Sequence, residues 1–307
     1  MEPQVEFNAG ATYSTGAIYS TGELQKSQRW CRDVARRAAK NFYYSFLALS
    51  GEKFQGMCAL YAFMRVTDDL GDEPGLPTSE RETRLGHWQS DLHKLTTEPI
   101  QSHPVWPALY ETHRRFAIPI EHLSAVIDGV RMDLHPVEMQ SFEELERYCY
   151  LVAGAVGFCC LRIWGTNDPE ADRLAVDCGL AFQLTNILRD LKEDCALGRV
   201  YLPAEDLKRF GYSRQDLEAG LNDRAFREMM QFEADRARAY YRSAERLESC
   251  LSNDAKPVLR TMLRIYRGLL DEMERRRFDV FSERVRLSPW TKSRIVVSEL
   301  VKSRWRR

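Results

Sequence analysis

Asp68-Asp69-Leu70-Gly71-Asp72 and Asn186-Ile187-Leu188-Arg189-Asp190-Leu191-Lys192-Glu193-Asp194 are two acidic clusters inside otherwise apolar, helix-patterned stretches of a 307-residue chain. Residues four apart share a helix face, so Asp68 and Asp72 make one oxygen-lined stripe, and Asn186, Asp190 and Asp194 a second. Two such stripes facing each other across a helical bundle would hold hard divalent cations. Mg2+ typically takes a few carboxylates together with waters and substrate phosphate oxygens. The chemistry implied is the handling of a diphosphate.

Cations accompany both clusters. On the pattern of Lys53 to Asp72, Cys58, Tyr61, Arg65, Asp68 and Asp72 fall on one helix face, which puts a guanidinium fork one turn before the carboxylates. In the second stretch Gln183, Asn186, Asp190 and Asp194 share a face backed by Leu180, Leu184, Leu188 and Leu191, with Arg189, Lys192 and Arg199 close by. A lone acidic pair is more often a solvated helix end, here closed by Gly71 and Pro74. A core helix lined by amides and carboxylates is costly unless a ligand uses them, and two clusters together favour a site.

The elements that must carry these residues are helices. An interior proline breaks a helix, and beyond Pro136 prolines occur only at 169, 203, 257 and 289, separated by stretches rich in Ala, Leu, Arg and Glu. Ser141-Phe142-Glu143-Glu144 reads as an N-cap with a capping box, and Gly165 to Pro169 as a stop followed by a new start. No alternating segment with hairpin residues appears, so strands are not required. The sequence predicts a single all-α domain over residues 26–307, a helical bundle around a central active-site cavity. Residues 1 to about 25, with Tyr13-Ser14-Thr15-Gly16 echoed at Tyr19-Ser20-Thr21-Gly22, read as a disordered tail.

Composition narrows the partners. The charge balance of 44 basic against 45 acidic residues gives no global field for nucleic acid. Eight cysteines without a C-x-x-C pair, six histidines without an H-x-x-x-H pair and no signal-peptide pattern predict reduced thiols, no transition-metal centre and a cytoplasmic location. No apolar run is long enough to span a bilayer. The C-terminal SRIVVSELVKSRWRR places Val297, Val301 and Trp305 on one face amid Lys292, Arg294, Lys302, Arg304, Arg306 and Arg307. It is either a last bundle helix with a charged outer face or a peripheral contact with an anionic bilayer at the inner membrane face.

The motifs YAFMRVTDDLGD (61–72) and QLTNILRDLKEDCALGRVYLP (183–203) resemble those of the squalene and phytoene synthase family, the head-to-head isoprenyl synthases. Asp133 in DGVRMDL, Tyr148 in ERYCY, Tyr266 in RIYRGLLDEM and Arg284 in ERV support the resemblance, which spans roughly residues 28 to 305. It implies that Asp68, Asp72, Asn186, Asp190 and Asp194 coordinate two or three Mg2+ ions bridging two prenyl diphosphates. Arg65, Arg189, Arg199 and Lys40 would hold phosphate oxygens, and Tyr44, Asp69, Asp133, Gln183 and Arg284 would complete the substrate site. Tyr61, Tyr148 and Tyr266 would line the reaction centre and stabilise carbocations. The family's usual serine before Lys-x-Phe is missing here, where the segment reads Ala38-Ala39-Lys40-Asn41-Phe42.

Ionising an allylic C–O bond leaves a delocalised cation and a highly charged diphosphate. The leaving group needs metal and guanidinium neutralisation, and the cation needs a dry, aromatic pocket. Phe42, Tyr43, Tyr44, Phe46, Phe158 and Phe182 could supply walls, although plain core packing is the commoner use of any one of them. The wording FYYSFLAL, IDGVRMDL, FEELERYCYLVAGAVG and ERVRLSPW most resembles bacterial presqualene diphosphate synthases. The expected reaction is therefore condensation of two farnesyl diphosphates to presqualene diphosphate, without NADPH. Phytoene synthase acting on geranylgeranyl diphosphate, or a squalene or dehydrosqualene synthase completing the second half-reaction, are the alternatives. Ala153, Gly154, Ala155 and Gly157 either let a prenyl tail pass close to the backbone or serve close helix packing. Two rivals remain from the residues alone: a helical scaffold with a Ca2+ site, disfavoured by the arginines, and a terpene cyclase binding one diphosphate.

Overall fold

The computed structural model describes residues 18–39, 41–166 and 168–305. Helices α1 (Thr21–Ala38), α2 (Asn41–Phe46), α3 (Gly51–Asp72), α4 (Thr78–Lys94), α5 (Trp106–Phe116) and α6 (Ile120–Met132) form the first half. The second half comprises α7 (Phe142–Cys149), α8 (Ala155–Trp164), α9 (Ala171–Arg189), α10 (Leu191–Ala196), α11 (Ala204–Arg209), α12 (Arg214–Glu218), α13 (Arg224–Cys250), α14 (Lys256–Arg275) and α15 (Pro289–Trp305). A π-helical turn, Tyr150–Gly154, joins α7 to α8.

Residues 18–25 of the expected tail are folded. Ser20 closes a capping box with Glu23, and α1 starts at Thr21. The Tyr19 hydroxyl donates to the Ile100 carbonyl (3.1 Å) and accepts from the Ile100 N–H (2.7 Å), so a tyrosine of the repeated YSTG segment is part of the core. Residues 1–17 lie outside the described residues.

Helix α9 is the axis of the bundle. Leu174, Ala175, Gly179, Leu180, Phe182, Leu184, Ile187 and Leu188 are buried over most of its circumference, because α13, α8, the π turn, α14 and α7 enclose it. The closest approach is between backbones. A Cβ on Gly157 would lie 2.2 Å from the Ala175 carbonyl oxygen, and one on Gly179 would lie 2.3 Å from the Ala153 carbonyl oxygen. The small residues after Tyr148 therefore meet a helix-packing demand, which glycine alone satisfies at this separation. Helix α3 is embedded in the same way by α1, α4, α5, α6 and α8.

Sequence periodicity gave no sign of the strand pairing found among the described residues. β1 (Val137–Glu138) and β2 (Arg199–Val200) pair in parallel, Val137 opposite Arg199. Two residues are too few to show alternation, yet the pairing ties the loop after α6 to the loop after α10 and so sets Asp133 beside Arg199.

Candidate active site

The first acidic motif occupies the last turns of α3. Arg65 pairs with Asp69 one turn on, and Arg81 of α4 donates to the Gly71 carbonyl at 2.9 Å, satisfying an end-of-helix acceptor. The second motif straddles a break. Helix α9 stops at Arg189, Asp190 leaves helical geometry at φ −103° and ψ 15°, and α10 begins at Leu191. The hydrogen-bond ladder still crosses the break, with Asp190 N–H to Asn186 O and Asp194 N–H to Asp190 O both at 2.9 Å. Asn186, Asp190 and Asp194 thus line up across a bend rather than along one straight helix.

The two motifs meet. Arg199 reaches Asp72 at 3.7 Å and donates to the Asp133 carbonyl through Nε (3.1 Å) and Nη2 (2.6 Å). Asp133 stands between the clusters, close enough to raise the carboxyls of both Asp68 and Asp194. Its own carboxylate accepts from Tyr148 (2.8 Å) and Tyr201 (2.7 Å), whose rings stack at 4.8 Å. Burial raises the Asp133 carboxyl, with the two phenols opposing. Asp190 is clamped by Arg189 (2.7 and 2.5 Å) and by Arg284 (2.8 and 2.7 Å). Burial would raise it, but the two guanidiniums outweigh that and hold it below the usual carboxylate range.

Asp68 opens to solvent within a cleft whose walls surround it. That confinement first, and then Asp72, Asp69 and Asp133, push its carboxyl up to about 7 against the opposing Arg65. Burial and then Asp190 raise Asp194 to about 7, with Arg199 opposing. These are oxygen donors with too little positive charge around them, the electrostatic condition that a divalent cation relieves. Among the described residues no group of three or more His, Cys, Asp and Glu side chains is yet drawn into metal-ligand spacing. Two of the expected ligands, Asp72 and Asp190, are engaged by arginines instead.

Two cavities adjoin this ionic centre. The larger, about 470 Å³, runs from Asp68, Tyr61 and Arg189 past Met64, Val126 and Leu269 to Ala38, Ala39, Phe46 and Lys292. The smaller, about 210 Å³, runs from Gln183 and Asn186 past Phe182 and Leu247 to Trp164. Val152, Val156, Cys160, Met262 and Tyr266 line both and form the wall between them. Tyr266 stacks on Phe182 at 4.3 Å and hydrogen-bonds Asn186, which joins the aromatic wall to the polar end.

The structure thus gathers Tyr61, Arg65, Asp68, Asp69, Asp72, Asp133, Tyr148, Gln183, Asn186, Arg189, Asp190, Asp194, Arg199, Tyr266 and Arg284 around one region. Tyr44 departs from expectation, because α2 turns Tyr43 and Phe46 inward and leaves Tyr44 half exposed, away from both cavities. Lys40 and the Phe42 side chain lie outside the described residues. Of the other candidate walls, Phe46 and Phe182 line cavities, whereas Phe158 packs on His122 at 4.0 Å and carries Arg162 over its ring. Tyr201 gained no role from the sequence, and Lys292 only a place among the cations of the last helix. Tyr201 stood within the second motif, in RVYLP, whereas nothing local marks Lys292 as a cavity residue.

A model of the squalene/phytoene synthase family matches residues 35–291. The 15-cis-phytoene synthase of Synechocystis sp. is 40% identical over 274 residues, covering 85% of this chain and 80% of that protein. The phytoene synthase of Mycobacterium tuberculosis is 34% identical over 284 residues, covering 92% and 93%. Among solved structures, a dehydrosqualene synthase with bound ligand superposes with a TM-score of 0.82 at 28% identity, covering 92% of this chain and 98% of that one. Squalene synthase HpnC from Alicyclobacillus acidocaldarius gives 0.78 at 29%, covering 84% and 97%. These relatives overturn the expected farnesyl condensation to presqualene diphosphate, since the curated proteins matched over most of the chain are named phytoene synthases. The segments that favoured the other branch lie on α2, the end of α6, α7 to α8 and the approach to α15.

Proposed function

The chain belongs to the squalene/phytoene synthase family of prenyltransferases, and from that membership we propose that it condenses two geranylgeranyl diphosphates head to head, through prephytoene diphosphate, to phytoene. The observation that carries this reading is 40% identity to a 15-cis-phytoene synthase over 85% of the chain, joined to a site with two apolar cavities meeting at one ionic centre.

Divalent cations, Mg2+ by the all-oxygen donor set, would be held by Asp68, Asp72, Asn186, Asp190 and Asp194 and would neutralise the departing diphosphate. The protein's own part is distinct. Arg65, Arg189, Arg199 and Arg284 supply planar forks for phosphate oxygens. Arg189 and Arg284 now rest on Asp190, so an arriving diphosphate and cation would exchange partners with an ion pair already in place. Tyr61, Phe182 and Tyr266 line the apolar cavities, where an aromatic ring stabilises a cation by roughly 0.5–2 kcal/mol. Val126, Val152, Val156, Leu269 and Met262 keep water from it. Asp133 holds the Tyr148 and Tyr201 hydroxyls in fixed directions beside the ionic centre.

The test is incubation of purified protein with Mg2+ and geranylgeranyl diphosphate, without reductant, and mass analysis of the extract. A forty-carbon hydrocarbon is expected. Only the twenty-carbon alcohol from simple hydrolysis, or unchanged substrate, would refute the reading.

A further inference from the structure

Five of the eight large hydrophobic residues exposed on the described chain gather on two helices. They are Tyr44 and Leu47, on α2 and its following turn, and Trp290, Val297 and Val301 on α15. Helix α15 packs against α2 and α14, burying Ile295, Val296 and Glu299. Trp290, Arg294, Val297 and Val301 recur at helical spacing on the opposite, outward face, where Trp290 is 87% exposed. Large apolar side chains grouped in the open mark an interaction surface, and tryptophan suits a boundary that is apolar on one side and wet on the other.

The charge on this face selects the occupant. The one acid on the described part of α15, Glu299, is 2% exposed and neutralised by Arg264 (2.7 Å) and Lys302 (3.2 Å), Lys292 lines the larger cavity, and Arg294 stands exposed among the outward apolar side chains. Exposed Arg36 and Arg37 end α1, immediately before α2. The outward face is therefore apolar with Arg294 as its cation, and carries no exposed acid over the described length of α15. A second copy placed by a two-fold axis would bring Arg294 against its own counterpart, which disfavours self-association. Anionic lipid head groups complement the charge while the acyl region takes the tryptophan and valines.

Position adds the second argument. The same elements bound the larger cavity through Ala38, Ala39, Phe46 and Lys292. We propose that the outward face of α15, together with Tyr44 and Leu47, docks on an anionic phospholipid surface, so that the cavity wall formed by α2 and α15 faces the bilayer. The proposal deepens the functional reading and rests on it in one respect: a hydrocarbon product has no polar group to carry it into water, and a bilayer beside the cavity receives it.

The experiment is vesicle co-sedimentation of the full chain, using phosphatidylcholine vesicles with and without phosphatidylglycerol. Its variants are Trp290→Ser/Val297→Ser/Val301→Ser and Arg294→Glu, all at exposed positions, so folding is preserved and is checked by turnover in detergent solution. The wild type should bind the anionic vesicles. The triple variant should bind roughly tenfold less or weaker still, and Arg294→Glu should weaken binding to anionic vesicles alone. The proposal is overturned if the wild type stays in the supernatant or if the triple variant binds as well as the wild type. It also falls if ultracentrifugation shows the triple substitution merely dissociating a dimer that ignores vesicles. A wild type that binds vesicles but makes no phytoene would instead sink the functional reading and leave the docking surface standing.

Discussion

Asp68 and Asp194 bear on metal binding through their protons. Both carboxyls are pushed from an ordinary value near 3.8 up to about 7. An acid raised in this way binds its proton more tightly folded than unfolded, so its stabilising share is full below the ordinary carboxylate range and is lost as pH rises through about 7. A cation at the site takes the place of those protons. Mg2+ should therefore raise the melting temperature more at about pH 8 than at about pH 6, measured by scanning fluorimetry with and without the ion. A gain independent of pH would mean these two carboxylates do not hold the metal. Replacing Asp68 or Asp190 by Asn should lower kcat about a thousandfold, in line with removing charge stabilisation from a leaving group. Circular dichroism should stay unchanged, because neither side chain belongs to the apolar core. The acidic residues were readable in advance because carboxylates at helical spacing within apolar runs have few uses. Tyr44 was not: FYYSF offers aromatic residues at consecutive positions, and only the packing of α2 decides that Tyr43 and Phe46 turn inward.

At the scale of elements, the contact between α8 and α9 and the wall between the cavities make opposite demands on side-chain size. Gly157→Val would drive a side chain into the Ala175 carbonyl, already 2.2 Å from a built Cβ. A loss of about 3 kcal/mol or outright failure to fold is expected, read by urea denaturation. A tolerated valine would show that this backbone contact is not fixed. Met262 is the flexible, unbranched member of the shared wall, and Met262→Trp would fill space on the side where Leu247 and Trp164 close the smaller cavity. The ratio of kcat/KM for geranylgeranyl over farnesyl diphosphate should fall roughly tenfold, about 1.4 kcal/mol. An unchanged ratio would remove the wall from chain-length selection. Proline positions and capping residues made the helices legible. The bend at Asp190 and the two-residue strand pair were not, since aspartate is no helix breaker and a pair that short carries no period.

For the whole molecule, the two motifs come together because α3 and α9 are both enclosed by other helices. The loops carrying Asp133 and Arg199 are then tied across their ends by β1 and β2. Sequence spacing gave each stripe separately; their meeting is a property of the bundle, and so is the division of its interior into two cavities. The same limit explains the substrate. FYYSFLAL supplies Phe46 to the larger cavity, but the walls of both cavities come mostly from side chains of α3, α6, α8, α9, α13 and α14 that meet only in the folded chain. The most direct measurement is a competition, in which the enzyme receives equal farnesyl and geranylgeranyl diphosphate with Mg2+ and no NADPH, and the products are resolved by mass. Phytoene as the dominant product is the expected result. Presqualene diphosphate as the dominant product would contradict the account.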